Sequence, residues 1–210
     1  MTEAKMTIED VLGLGKVMPV IVIDDAAKAV PLAKTLLAND IRTIEITLRT
    51  SAALDSIAAI ADQCPDMVVG AGTILSPELA QASASAGARF VVSPGSTDAV
   101  IKGCQDADIP LLPGASTVSE MMVLAEQGFD IIKFFPAMAA GGVNFIKSLA
   151  SPLPHLKFCP TGGITEATAP DWLSLPNVPC LGGSWIAPAT LINDGNWEII
   201  GAHAQAASQL

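Results

Sequence analysis

The run "GFDIIKFFPA", residues 128–137, places a lysine inside a stretch that otherwise reads as a buried strand. It is short, apolar on consecutive positions and rich in isoleucine and phenylalanine, as a strand covered on both faces is. An ammonium group is costly to remove from water, and lysine is almost never fully buried unless it is paired. Two readings are open. Lys133 either carries its head to water at the strand end, or the fold holds an amine in a dry place. Strand alternation groups Lys133 with Ile131 and Phe135 and leaves Ile132 and Phe134 on the other face.

Similar runs recur on both sides of it: "VMPVIVI" (17–23), "TIEITL" (43–48), "MVVGAGT" (67–73), "FVVSPG" (90–95), "IPLLPGA" (109–115), "KFCPTGG" (157–163) and "PCLGGSW" (179–185). With "IIKFFP" they make eight. Between them lie Ala- and Leu-rich segments such as "DAAKAVPLAKTLLAND" and "SPELAQASASAGA". These open on Asp or Ser and close near Asn or Gly, as capped helices do. Strands separated by helices pair in parallel. Eight such units predict an α/β fold, a single-domain (β/α)8 TIM barrel over residues 1–210 with a short helix near residues 7–13 ahead of the first strand. An open doubly wound sheet is the structural alternative.

Composition narrows the function. Half of the residues are hydrophobic and 15% are charged, enough apolar material for a sizeable core and too little charge for disorder. A formal net charge of −10 argues against nucleic acid as a partner, because a phosphate-backbone binder needs a basic footprint. The opening "MTEAKMTIED" is polar and mixed in charge, unlike a secretory leader, and the longest apolar runs are too short to cross a bilayer. Cys64, Cys104, Cys159 and Cys180 lie far apart without CxxC spacing, which suits reduced thiols in a cytoplasmic protein. His155 and His203 are the two histidines, and neither has metal-ligand spacing around it, so no metal is expected.

In a barrel the active site forms where strands end and loops begin. Those points here read "EITLRT", "GAGT", "SPG", "LPGAST", "KFFPA", "PTGGIT" and "GGSW". Any one of these glycines serves an ordinary turn; seven such segments along one rim point to a ligand. Burial of Lys133 would disfavour its ammonium form and leave a nucleophilic amine. Glu45, Thr47 and Arg49 share one parity on the second strand. Glu45 could move a proton, or it could simply pair with Lys133 or Arg49. Arg49 has the fork to grip a carboxylate or phosphate. Thr73 could hold a substrate carboxylate, and Pro94 and Phe135 could supply apolar wall. Gly162, Gly163, Gly183 and Ser184 lie on the turns after strands seven and eight, where barrels commonly hold a phosphate. A Gly-Gly turn entering a helix would expose N–H groups at the positive end of its dipole. Cys159 and the tryptophans Trp172, Trp185 and Trp197 read as packing, the latter against terminal helices. Lys16, ahead of the first strand, belongs to the other rim. A sugar-phosphate isomerase or a non-catalytic sensor of phosphorylated sugar acids would use the same glycine turns without an imine.

Taken in order, "EITLRT", "GAGT", "SPG", "PLLPG", "KFFPA", "FCPTGGI" and "GGSW" resemble the motifs of the 2-keto-3-deoxy-6-phosphogluconate (KDPG) aldolases, which often also cleave 4-hydroxy-2-oxoglutarate. The likeness spans nearly the whole chain. It implies a class I aldolase on a (β/α)8 barrel, usually a homotrimer, that needs no metal or organic cofactor and acts on a small phosphorylated 2-keto acid. It places the Schiff-base lysine on Lys133 and the general acid/base on Glu45. It assigns carboxylate binding to Arg49 and Thr73, and pocket walls to Pro94 and Phe135. Phosphate and hydroxyl contacts fall to Thr161, Gly162, Gly163, Gly183 and Ser184. One departure is Met138, where the resemblance leads one to expect an acidic residue after "FFPA".

Overall fold

Parallel strands can be joined only through a crossover, and each helix-like segment of this chain provides one. The structure, a computed structural model, describes residues 6–210. Its strands are β1 (Val17–Ile21), β2 (Thr43–Thr47), β3 (Val68–Gly72), β4 (Phe90–Val92), β5 (Leu111–Leu112), β6 (Gly114–Ala115), β7 (Ile131–Phe134), β8 (Lys157–Pro160) and β9 (Leu181–Gly183). All pair in parallel. Six form a half-barrel in the order β5-β4-β3-β2-β1-β9, and β6-β7-β8 form a second sheet. Winding never reverses along the larger sheet, which excludes the doubly wound alternative.

Nine strands stand where eight were expected because the fifth is interrupted at Pro113. Proline has no N–H to donate to a ladder. Its carbonyl still accepts from Lys133 N at 2.8 Å, so the two sheets meet there. At the other side an isolated parallel bridge joins Thr161 to Gly182 of β9.

The helices between strands are α2 (Ala29–Leu37), α3 (Ala53–Gln63), α4 (Pro77–Ser85), α5 (Asp98–Asp106), α6 (Val118–Glu126), α7 (Gly142–Leu149) and α8 (Ala169–Leu173). After β9 come α9 (Ala189–Asp194) and α10 (Trp197–Ser208). The caps behave as the sequence suggests. Ser76 accepts from Leu79 N ahead of α4, where proline occupies the first turn, and Gly87 follows with φ 91°. "DAAKAVPLAKTLLAND" is less regular than one helix: Asp25 caps a 3-10 turn, Ala26–Lys28, before α2 begins.

Two apolar clusters result. The larger packs helices onto the outer faces of the strands, through residues such as Ile44, Ile46, Ile132, Phe134 and Trp172. The smaller holds Met18, Phe90, Val92, Leu112, Cys159 and Cys180, with Val11 and Leu12 of α1 (Ile8–Leu12) beneath it. Its members come from strands of both sheets. A capping box between Thr7 and Asp10 starts α1, and Glu9 pairs with Lys157 at 2.6 Å, fastening this helix under β8.

Candidate active site

Lys133 projects to the inner face, as its parity requires, and is 4% exposed; it does not snorkel. Its Nζ lies 3.4 Å from Oε1 of Glu45, which is 1% exposed. The second carboxylate oxygen, Oε2, is buried without a partner among the described residues. A buried polar atom left unpaired is costly, and one aimed into a site has capacity for a ligand or water. The Lys133 head also lies 5.4 Å from the centroid of the Phe135 ring. Space for the carboxylate comes from Gly72 on the neighbouring strand, where a Cβ would collide with Glu45 Oε1. Phe90 fills the corresponding space over Gly70, which lies opposite Glu45 in the ladder.

Arg49 and Thr73 meet at the rim. Arg49 Nε donates to Thr73 Oγ1 at 3.2 Å. Thr73 adopts φ 65°, the left-handed region that a β-branched residue rarely enters. Such strain costs on the order of 1–3 kcal/mol and persists only where the surroundings impose it, commonly at functional sites.

Arg49 also faces a cavity of about 130 Å³ that it lines with Val20, Phe135, Thr161, Gly162, Gly163 and Ser184. The two most distinctive motifs are stitched together beside it. Ala137 N donates to Thr161 O at 2.8 Å and Met138 N donates to Gly162 O at 3.1 Å. Gly162 and Gly163 both have positive φ, 107° and 77°, and Met138 packs against Gly163.

One expectation is revised. Neither glycine turn runs directly into a helix: α8 begins only at Ala169 and α9 at Ala189, and both are short. Any anion there would meet the N–H groups of the turns themselves. Gly182 lines the cavity beside Ser184: strand alternation puts it on the inner face with Cys180, whereas a Cβ on Gly183 would meet the Trp185 ring. Trp185 therefore supports the site's edge, whereas Trp172 and Trp197 lie on α8 and α10. Pro94 is half-buried and its backbone closes over Gly114. Val20, Val22, Gly72 and Gly182 escaped the sequence reading, which sought reactive groups and had no signal for residues that only leave or bound space.

Cys159 sits opposite Lys133 in the ladder yet is fully buried, as the packing reading expects. Its hydrogen bond with Cys180, and then burial, push the Cys180 thiol well above the usual thiol range. A larger cavity of about 800 Å³ lies at the opposite rim, beside α1, and none of the candidate residues lines it.

A parallel α/β fold that buries an amine against a carboxylate at one rim, beside glycine turns and an arginine, has the equipment of an enzyme working through an imine on an anionic carbonyl compound. The comparisons name the family. Residues 8–203 match the profile of the KDPG and KHG aldolases, and the chain belongs to that family. It is 45% identical over 196 residues to the KHG/KDPG aldolase of Escherichia coli K12, covering 93% of this chain and 92% of that protein. It is 47% identical over 196 residues to the 2-dehydro-3-deoxy-phosphogluconate aldolase of Pseudoalteromonas atlantica, covering 93% and 91%. Among solved structures, the KDPG aldolase of Legionella pneumophila, with pyruvate captured at low pH as a covalent carbinolamine, superposes with a TM-score of 0.95. That pair is 41% identical, over 98% of this chain and all of the other.

Proposed function

We propose that this chain is a class I aldolase that cleaves KDPG to pyruvate and glyceraldehyde 3-phosphate, and 4-hydroxy-2-oxoglutarate to pyruvate and glyoxylate. The observation that carries this is the buried pair, Lys133 Nζ at 3.4 Å from Glu45 Oε1 with the other carboxylate oxygen without a hydrogen-bond partner among the described residues. Unprotonated Lys133 attacks the C2 ketone, and loss of water leaves an iminium. That cation draws electrons from the C3–C4 bond once a base removes the C4 hydroxyl proton. Glu45, directly or through a water, is that base. The aldehyde leaves, protonated Glu45 returns a proton to C3 of the enamine, and hydrolysis releases pyruvate. No metal or organic cofactor is needed for these steps.

Arg49 and Thr73 orient the pyruvyl carboxylate. Pro94 and Phe135 bound the reacting carbons. Thr161, Gly162, Gly163, Gly183 and Ser184 hold the hydroxyl and phosphate end, binding whose energy positions C4 for cleavage. The two sheets are read as one closed (β/α)8 barrel forming a single domain. The junction at Pro113, the Thr161–Gly182 bridge and the inner cluster drawn from both sheets support that closure. A cytoplasmic homotrimer is the assembly and setting that the family resemblance suggests. Exposed Val118, Met122 and Val123 on α6 offer apolar surface for contact between copies.

Borohydride reduction in the presence of pyruvate, followed by intact mass and peptide mapping, tests the chemistry. A pyruvate-sized adduct on Lys133 is expected. Its absence from protein that still binds a phosphate ester would overturn the aldolase reading.

A further inference from the structure

The ladder between β9 and β1 ends at the Pro19–Gly183 pair, so the sheet does not orient the peptide planes from Ser184 onward. That segment carries Ser184, which lines the cavity beside Arg49. Ile186 and Ala187 are buried in the larger apolar cluster, and two contacts bear on the direction of the turn itself. The Trp185 ring lies against Gly183 on one side. At its far end the carbonyl of Ile186, a fully buried residue, meets Nδ1 of His203 at 3.2 Å. A carbonyl only accepts, so Nδ1 carries the proton in this contact. His203 is half-buried near the middle of α10, and α10 is packed on α2 and α9. The helix is thus a rigid mount, and the imidazole joins it to the turn.

We propose that His203 is a positioning residue for the phosphate end of the site, fixing the Gly183–Ile186 turn through its Nδ1–H hydrogen bond to Ile186 O. This rests on the reading of the β9 turn as a phosphate contact. His203 is not among the residues that line the cavity, and it acts through the turn. A substrate with a phosphate should therefore sense its loss, and one ending in a carboxylate three carbons beyond the ketone much less.

The test compares kcat/KM for KDPG and for 4-hydroxy-2-oxoglutarate in wild type, His203→Leu, His203→Asn and His203→Asp. The Asn amide nitrogen takes the place of Nδ1 and can donate, whereas Asp has the same shape and only accepts. We expect the ratio of the two kcat/KM values to fall about fivefold in the Leu and Asp variants, through KM for KDPG, on the scale of one lost neutral hydrogen bond. The Asn variant should restore it. If His203→Leu does not fold, the Asn/Asp pair carries the comparison. Equal loss on both substrates, or Asp behaving like Asn, would show His203 to be structural only and overturn the inference. Wild type showing no preference for the phosphorylated substrate would remove the phosphate reading itself, and this inference with it.

Discussion

Gly72 decides where the Glu45 carboxylate can lie, since a Cβ there would occupy the position of Oε1. Gly72→Ala must displace the carboxylate from its place beside Lys133. Displacing a catalytic group by about 1 Å can cost roughly 10²-fold in rate. The variant should lose about that much kcat while borohydride still traps pyruvate on Lys133. Glu45→Gln keeps the shape and removes the proton acceptor. Its kcat should fall by about 10²–10⁴-fold, with the trapped adduct again retained, because trapping needs the amine and not the C–C cleavage. Lys133 and Glu45 were legible in the sequence because a charge in an apolar run is a visible anomaly. Gly72 was not, because an absent side chain says nothing about which distant group uses the room. Gly182 went unread for a similar reason: its missing side chain leaves room for Thr161, which lies on another segment.

Helix α6 shows how far local signals reach. Thr117 and Glu120 form a reciprocal capping box, and the Glu120 side chain accepts from Ser116 N at 2.9 Å and Thr117 N at 2.8 Å. The Ser116 hydrogen bond is the largest influence holding the Glu120 carboxyl below its ordinary value; burial acts in the opposite direction. A carboxyl lowered in the folded state contributes stability above its unfolded pKa and loses it as pH falls through the lowered one. Glu120→Gln should therefore be slightly less stable than wild type in urea at pH 7, and the two midpoints should converge in acid. Caps of this kind are readable because they lie within four residues of one another. Strand ends are less so. The fifth strand read as one run, yet proline interrupts its ladder, and "DAAKAVPLAKTLLAND" read as one helix although its first turn is 3-10. Both outcomes depend on hydrogen-bond partners that are chosen by tertiary packing.

Across the whole molecule, all four cysteines are buried, and burial pushes the Cys104 thiol up to about 11. A thiol reagent at pH 8 should leave the native protein unmodified over minutes and label four thiols once guanidinium unfolds it; rapid labelling of folded protein would contradict this burial. The order of βα units was legible from their repetition, but the meeting of two sheets at Pro113 and Gly182 was not, because it is a contact between segments far apart in the chain. The pairing of β1 with β9 is of the same kind. During synthesis, β1 emerges with β2 to take one of its sides, while the strand for its other side is translated near the end of the chain. At roughly 5–20 residues per second, that edge stays open for on the order of ten seconds in every nascent molecule. An open edge invites pairing with another chain. Only when Leu181–Gly183 comes to lie beside Val17–Pro19 does that exposure end, so the last strand made is the one that protects the first.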